Sequence, residues 1–210
     1  MKKRGMLILF EGAPSTGKTT HAKNLTRILQ QHGYDAIYRK MSPTENFIGR
    51  TIIKLRRFSL PYFIEDPLYG IDDFTESREV DKQLNSARTV VMDKSIYNLQ
   101  AFWNTFRSNI YSSLTYNLVN RLFQNPVPDL TFLLKTEYQE RIRRVGIKDP
   151  NSRLDKLMLA PEADNKLTKA LEFYIKQHYR NIKEVNTTTE SIENIDTYLT
   201  NIVLEELENK

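Results

Sequence analysis

Eight consecutive residues, Gly12-Ala13-Pro14-Ser15-Thr16-Gly17-Lys18-Thr19, leave this chain few folds to choose from. They fill every fixed position of G-x-x-x-x-G-K-[ST], the spacing of a phosphate-binding loop. The glycines let backbone N–H groups close around phosphate oxygens. The flanks agree with that reading. Met6-Leu7-Ile8-Leu9-Phe10 is an apolar run with no turn residue, as in a parallel strand buried on both faces. From Thr19 to Gln31, Ala22, Leu25, Ile28 and Leu29 share one helical face. Strand, loop and helix N-terminus together make an anion site. Gly12 to Thr19, with Thr20 behind them, are the expected nucleotide contacts. Lys18 is expected on the β- and γ-phosphates, and the Thr19 hydroxyl on Mg²⁺. The implied cofactors are ATP and Mg²⁺. The loop itself does not say what receives the phosphate.

The remaining chain alternates strands with helices. Strands are expected at Asp35–Arg39, Thr89–Asp93, Asp129–Leu134 and Asn181–Thr187. Helices are expected at Phe47–Phe58, Asp72–Ser86, Ser95–Gln124, Glu137–Arg144, Ala163–Arg180 and from Ser191 onward. Tyr62-Phe63-Ile64, between Pro61 and Pro67, has no assignment. The pattern predicts an α/β P-loop NTPase, with a five-stranded parallel sheet, helices on both faces and a short lid. All 210 residues read as one kinase-like domain, with the lid at about residues 141–156. Ligands in such sheets lie beyond the carboxyl ends of the strands. The P-loop, Arg39 and Asp93 all fall there.

Two further groups carry chemistry. Asp93 ends an apolar strand, where a second Mg²⁺-directed carboxylate is expected; an Asp there also serves simply as a helix cap. Glu11 precedes the first glycine, where a carboxylate acts as a base or holds a Mg²⁺-bound water. Arg141, Arg143, Arg144 and Arg153 flank a Gly- and Pro-containing loop. They read either as a lid that swings onto the transferring phosphoryl group or as a solvated helix face. The net charge of +5 fits polyanionic small molecules, and no nucleic-acid partner is expected. Arg39 and Lys94 follow or end strands, and Arg50 and Arg78 stand to join them. These cations exceed what a triphosphate needs, so the acceptor is expected to carry a phosphate already. Cysteine is absent, which excludes disulfides and thiolate metal sites. No apolar run reaches the ~18 residues of a membrane span, so a cytoplasmic protein without membrane contact is expected. His21, His32 and His178 read as packed or solvated helix residues.

These residues resemble the thymidylate kinases. Leu9-Phe10-Glu11-Gly12 with Thr20-His21-Ala22 is similar to the opening of that family. Ile37-Tyr38-Arg39, Thr44-Glu45-Asn46 and Ile48-Gly49 are similar to its next segment. Val90-Val91-Met92-Asp93-Lys94-Ser95 resembles the strand ending in its Asp-Arg-Tyr motif, and Pro128-Asp129-Leu130-Thr131 is a close match. Glu140 to Arg144, followed by Arg153-Leu154-Asp155, resembles its helix and lid. The resemblance implies transfer of the ATP γ-phosphoryl group to a nucleoside monophosphate such as dTMP. It places Arg39 at the acceptor phosphate and Arg78 at the acceptor base or phosphate, and is compatible with a homodimer. The chain departs from the family at Pro14, where an acidic residue meets the sugar, and at Lys94, where Arg makes a bidentate phosphate contact. Two alternatives stay open: a deoxynucleoside kinase, with Glu11 taking the proton of a 5′-hydroxyl, and a non-catalytic nucleotide-binding protein.

Overall fold

The computed structural model describes residues 3–41, 43–55, 62–106, 126–147 and 160–209. Five strands form one parallel sheet: β1 (Leu7–Gly12), β2 (Ala36–Lys40), β3 (Thr89–Asp93), β4 (Leu130–Lys135) and β5 (Ile182–Asn186), in the order β2-β3-β1-β4-β5. Seven helices are described: α1 (Lys18–Gln31), α2 (Phe47–Leu55), α3 (Tyr62–Asn85), α4 (Ile96–Phe106), α5 (Tyr138–Ile147), α6 (Pro161–His178) and α7 (Ile192–Glu208).

The central strands are apolar throughout because both faces are covered. Successive side chains of β1 point to opposite faces. Ile8 and Phe10 join Ala22, Leu25 and Leu29 of α1 and Ile195, Leu199 and Val203 of α7. Leu7 and Leu9 join Val80 and Leu84 of α3, Ile96 and Trp103 of α4 and Ile175 of α6. Each fully buried leucine contributes about 1.5–3 kcal/mol relative to exposure.

Register brings the chemistry to one edge. Phe10 pairs with Asp93, Gly12 with Leu134, and Lys40 with Asp93. β3 and β4 lie on opposite sides of β1, so the chain reverses its direction across the sheet beside the P-loop strand.

One helix departs widely from its expected limits. α3 begins at Tyr62, well before Asp72, and carries Pro67 within it. Proline removes one intrahelical hydrogen bond; burial of Tyr69 against the second core holds the segment helical past it. α4 is described only to Phe106; residues 107–125 of the expected helix lie outside the described residues. Trp103 is core, as its helical spacing suggests.

Candidate active site

The P-loop is a turn that only particular residues can make. Gly12 has φ +140°, and a Cβ there would come within 2.3 Å of the Leu134 carbonyl oxygen on β4. Gly17 has φ +95°, and Ser15 accepts the left-handed region at φ +62°. Such conformations cost about 1 kcal/mol or more for a non-glycine residue. Several bonds hold the loop in place. The Lys18 ammonium donates to the carbonyls of Gly12 (2.7 Å) and Ala13 (2.6 Å). Thr16 Oγ1 donates to Ala13 O, and Thr187 Oγ1, just past β5, donates to Thr16 O. Pro14, Ser15 and Thr20 complete the loop and the first turn of α1.

Facing it is Asp93, fully buried. Its Oδ2 accepts from Thr19 Oγ1 at 2.5 Å and from the Tyr38 hydroxyl at 3.2 Å. Its Oδ1 has no hydrogen-bond partner among the described residues. An orphaned, buried carboxylate oxygen beside a threonine hydroxyl is a donor set that suits Mg²⁺, which takes one or two protein oxygens and completes its shell with phosphates and water. Thr19 and Asp93 therefore fit the ion. The described residues hold no cluster of three or more His, Cys, Asp or Glu that would suggest a metal caged by protein alone.

Glu11 occupies a different niche. It is fully buried and accepts from the Ser95 backbone N–H (2.7 Å) and Asn98 Nδ2 (3.0 Å), tying the end of β1 to the start of α4. Burial pushes its carboxyl up, while the bonds from Ser95 and Asn98 and the charge of Lys18 pull it back. Lys94, between Asp93 and Ser95, sits at φ +74°, and its N–H donates to Phe10 O.

The basic helix α5 separates its arginines by role. Arg141 is buried and forms a two-pronged pair with Asp164 of α6, while its Nε donates to Thr136 O. It clamps α5 to α6. Arg143 is exposed and paired with Glu140. Arg144 also pairs with Glu140, but its terminal nitrogens donate to Ser15 O in the P-loop (3.4 Å) and Thr187 O (2.5 Å). It alone of the three touches the phosphate loop. Arg153 lies outside the described residues. On the β4–β5 side, a cavity of about 280 Å³ adjoins Gly12, Ala13, Thr16, Thr136 and Thr188.

On the other side, Arg39 meets Glu76 of α3: Nε lies 2.7 Å from Oε1 and one terminal nitrogen donates to Oε2 at 3.3 Å. The expectation that Arg39 is a surplus cation needs correction, because Glu76 offsets its charge. Burial pushes the Glu76 carboxyl up, and Arg39 holds it down. Arg50 is exposed on α2. Arg78 is exposed on α3, its guanidinium 4.9 Å from the centre of the Phe74 ring one turn earlier. Because Leu84 O accepts from Gly5 N at the far end of the sheet, that earlier turn lies toward the ligand side. Sequence reasoning missed Tyr38, Glu76 and Asn98, whose partners are distant in sequence, and Phe74, whose partner is not. Phe74 and Arg78 at i, i+4 were a readable signal.

The thymidylate kinase family model matches residues 10–198. A probable thymidylate kinase of Pyrococcus abyssi is 29% identical over 164 residues, covering 74% of this chain and 77% of that protein. A thymidylate kinase of Rickettsia africae is 24% identical over 188 residues, covering 84% and 81%. The solved thymidylate kinase of Candida albicans superposes with a TM-score of 0.75 at 21% identity, over 100% of this chain and 96% of that one. A P-loop closed on its own lysine, an aspartate facing its threonine across β1 and β3, and a family match from β1 to within α7 lead to one statement: this chain belongs to the thymidylate kinase family.

Proposed function

We infer that the protein transfers the γ-phosphoryl group of ATP to dTMP, yielding ADP and dTDP. The observation that carries this reading is the P-loop with Thr19 and Asp93 joined at its mouth, in a chain that the family model matches from β1 into α7. An oxygen of the acceptor phosphate attacks the γ-phosphorus, and the bond from that phosphorus to the β-bridging oxygen breaks. Catalysis of this kind is mostly positioning and charge stabilisation. The loop amides and Lys18 hold the donor phosphates. Lys18 then exchanges the carbonyls of Gly12 and Ala13 for phosphate oxygens, which are stronger acceptors. Thr19 and Asp93 would hold Mg²⁺, which would supply positive charge to the transferring phosphates. Tyr38 keeps Asp93 oriented. Arg144, at Ser15 and Thr187, contributes charge above the loop. Arg143 and Arg153 belong to the same basic segment.

On the acceptor side, Glu76 accepts from one terminal nitrogen of Arg39 and lies against its Nε; the second terminal nitrogen, with no hydrogen bond to a described residue, is assigned to the acceptor phosphate. Lys94, next to Asp93 in the chain, and Arg50, exposed on α2, are assigned to the same purpose. Phe74 and Arg78 offer a ring and a planar cation, the chemistry that receives a nucleobase. Glu11 shapes the entrance through Ser95 and Asn98 rather than as a base. With ATP and dTMP as its substrates, the enzyme is assigned to the cytoplasm; no helix among the described residues is long and apolar enough to cross a membrane.

The test is phosphorus NMR of the purified protein with ATP, Mg²⁺ and dTMP. The β-phosphate resonance of dTDP should grow as ADP forms. Phosphorylation of thymidine but not dTMP would replace this reading with a deoxynucleoside kinase. ATP binding with no transfer to either would make the protein a nucleotide binder.

A further inference from the structure

His21, on the first turn of α1, is 3% exposed and takes no part in the chemistry above. Its Nδ1 donates to Asp196 Oδ1 of α7 at 2.7 Å. Asn24, one turn on, donates to Asp196 Oδ2 at 2.6 Å. The carboxylate is itself nearly buried, and Thr200 Oγ1 donates to the Asp196 carbonyl. This is a polar cluster in the seam between α1 and α7, surrounded by the leucines of the first core. A buried carboxylate costs several kcal/mol unless it is paired, so the cluster needs a reason beyond cohesion, which Leu25, Leu29 and Leu199 already provide.

The reason lies at the other edge of the imidazole. A Cβ built on Gly17 would stand 3.0 Å from His21 Cδ2 and 3.1 Å from Nε2. The ring therefore lies flush against the P-loop at a residue held at φ +95°. Gly17 precedes Lys18, and its peptide unit is among those that face phosphate. Lys18 fixes the loop from the carbonyls of Gly12 and Ala13, and Thr187 fixes it from Thr16 O. Gly17 has no comparable side-chain hydrogen bond among those described; it has the ring, and the ring has Asp196.

We propose that His21 and Asp196 are positioning residues for the donor site: Asp196 locks the imidazole, and the imidazole holds Gly17 in the conformation that receives phosphate. The C-terminal helix thereby contributes to ATP binding without touching ATP. The inference rests on the reading of the P-loop as the donor site.

The test measures the dissociation constant for ATP by isothermal titration, with the KM for dTMP and the melting temperature alongside, in the full chain. Asp196→Ala and His21→Ala should each weaken ATP binding about tenfold, the size of one buried charge-assisted hydrogen bond. The double variant should be no weaker than either alone. The KM for dTMP should stay within about twofold, since the pair lies on the donor side of the sheet. His21→Asn, whose amide can donate from the place of Nδ1, should recover most of the affinity. Leu199→Ala, in the same helix, should lower the melting temperature and leave ATP binding unchanged. Should Asp196→Ala fail to fold, Asp196→Asn should still weaken ATP binding by a smaller factor. Wild-type ATP affinity in the folded Asp196 variants, or equal weakening by Leu199→Ala, would overturn the inference and leave the donor site standing. Failure of the wild-type chain to bind ATP would strike the donor-site reading itself.

Discussion

Around the P-loop the ionisable groups of β1, β3 and α1 are buried and held by short hydrogen bonds; on the α2–α3 side the cations are exposed or shared, although carboxylates of α3, Asp72 among them, are buried. Glu11 and Asp93 have no exposed surface and Lys18 only 5%. Their positions follow from a loop of fixed geometry and two adjacent strands. Across the sheet edge, Arg50 and Arg78 project from helices into solvent, and Arg39 is shared with Glu76. The donor half is therefore built before any ligand arrives, with little left to order. The acceptor half brings charges near the site but leaves their final placement to the ligand, at an entropic cost for each long side chain.

The sharpest way to break this contrast is to remove donor-side groups. Lys18→Ala should lower kcat by roughly 100-fold or more, as loss of a preorganised donor to developing charge does. Asp93→Asn should lower turnover by about 10- to 100-fold and move the Mg²⁺ titration to higher concentration. Both should keep the far-ultraviolet circular dichroism of the parent. Near-wild-type turnover in either folded variant would remove that residue from the mechanism.

The second perturbation is on the acceptor side. Arg39→Ala should raise the KM for dTMP by about tenfold, with little change in the KM for ATP. Glu76→Gln should raise the dTMP KM by a smaller factor, about threefold, because Arg39 loses its orienting partner. If Glu76→Gln instead lowers that KM, the carboxylate competes with the acceptor phosphate and does not position Arg39.

The arginines of α5 sharpen the comparison further. Arg144→Ala should raise the KM for ATP about fivefold, and Arg143→Ala should stay within about twofold, since an exposed ion pair contributes little. Equal effects would mean that contact with Ser15 and Thr187 carries no weight.

The smallest effect is one of pH. Hydrogen bonds from Arg143 and Arg144 hold the Glu140 carboxyl down to about 2. A depressed carboxyl stabilises the fold above its unfolded value and loses that contribution as pH falls toward 2. Comparing the melting temperatures of wild type and Glu140→Gln from pH 6 to pH 2.5 should show a small gap that closes on acidification and shrinks in high salt. A gap that widens on acidification would reverse the assignment.

What the sequence made legible divides along the same line. The P-loop, the strand ending at Asp93 and the order of strands and helices are written in local spacing and in continuous apolar runs. Asp93 could be placed because a strand end has one location in a parallel sheet. The rest depended on contacts between elements far apart in sequence. Glu76 is 37 residues from Arg39, and Asp196 is 175 from His21. Periodicity gives a helix its buried face but not the partner that the face will meet. The four arginines illustrate this: one run of like residues resolves into a buried clamp, an exposed pair and a contact with the P-loop, with Arg153 outside the described residues.

The most direct test of the account is kcat/KM for dTMP against thymidine, with ATP and Mg²⁺ held saturating. The account predicts that dTMP is favoured by at least about 100-fold, since an acceptor without its phosphate would not engage the proposed contacts with Arg39 and Lys94. Thymidine equal to or better than dTMP would contradict it.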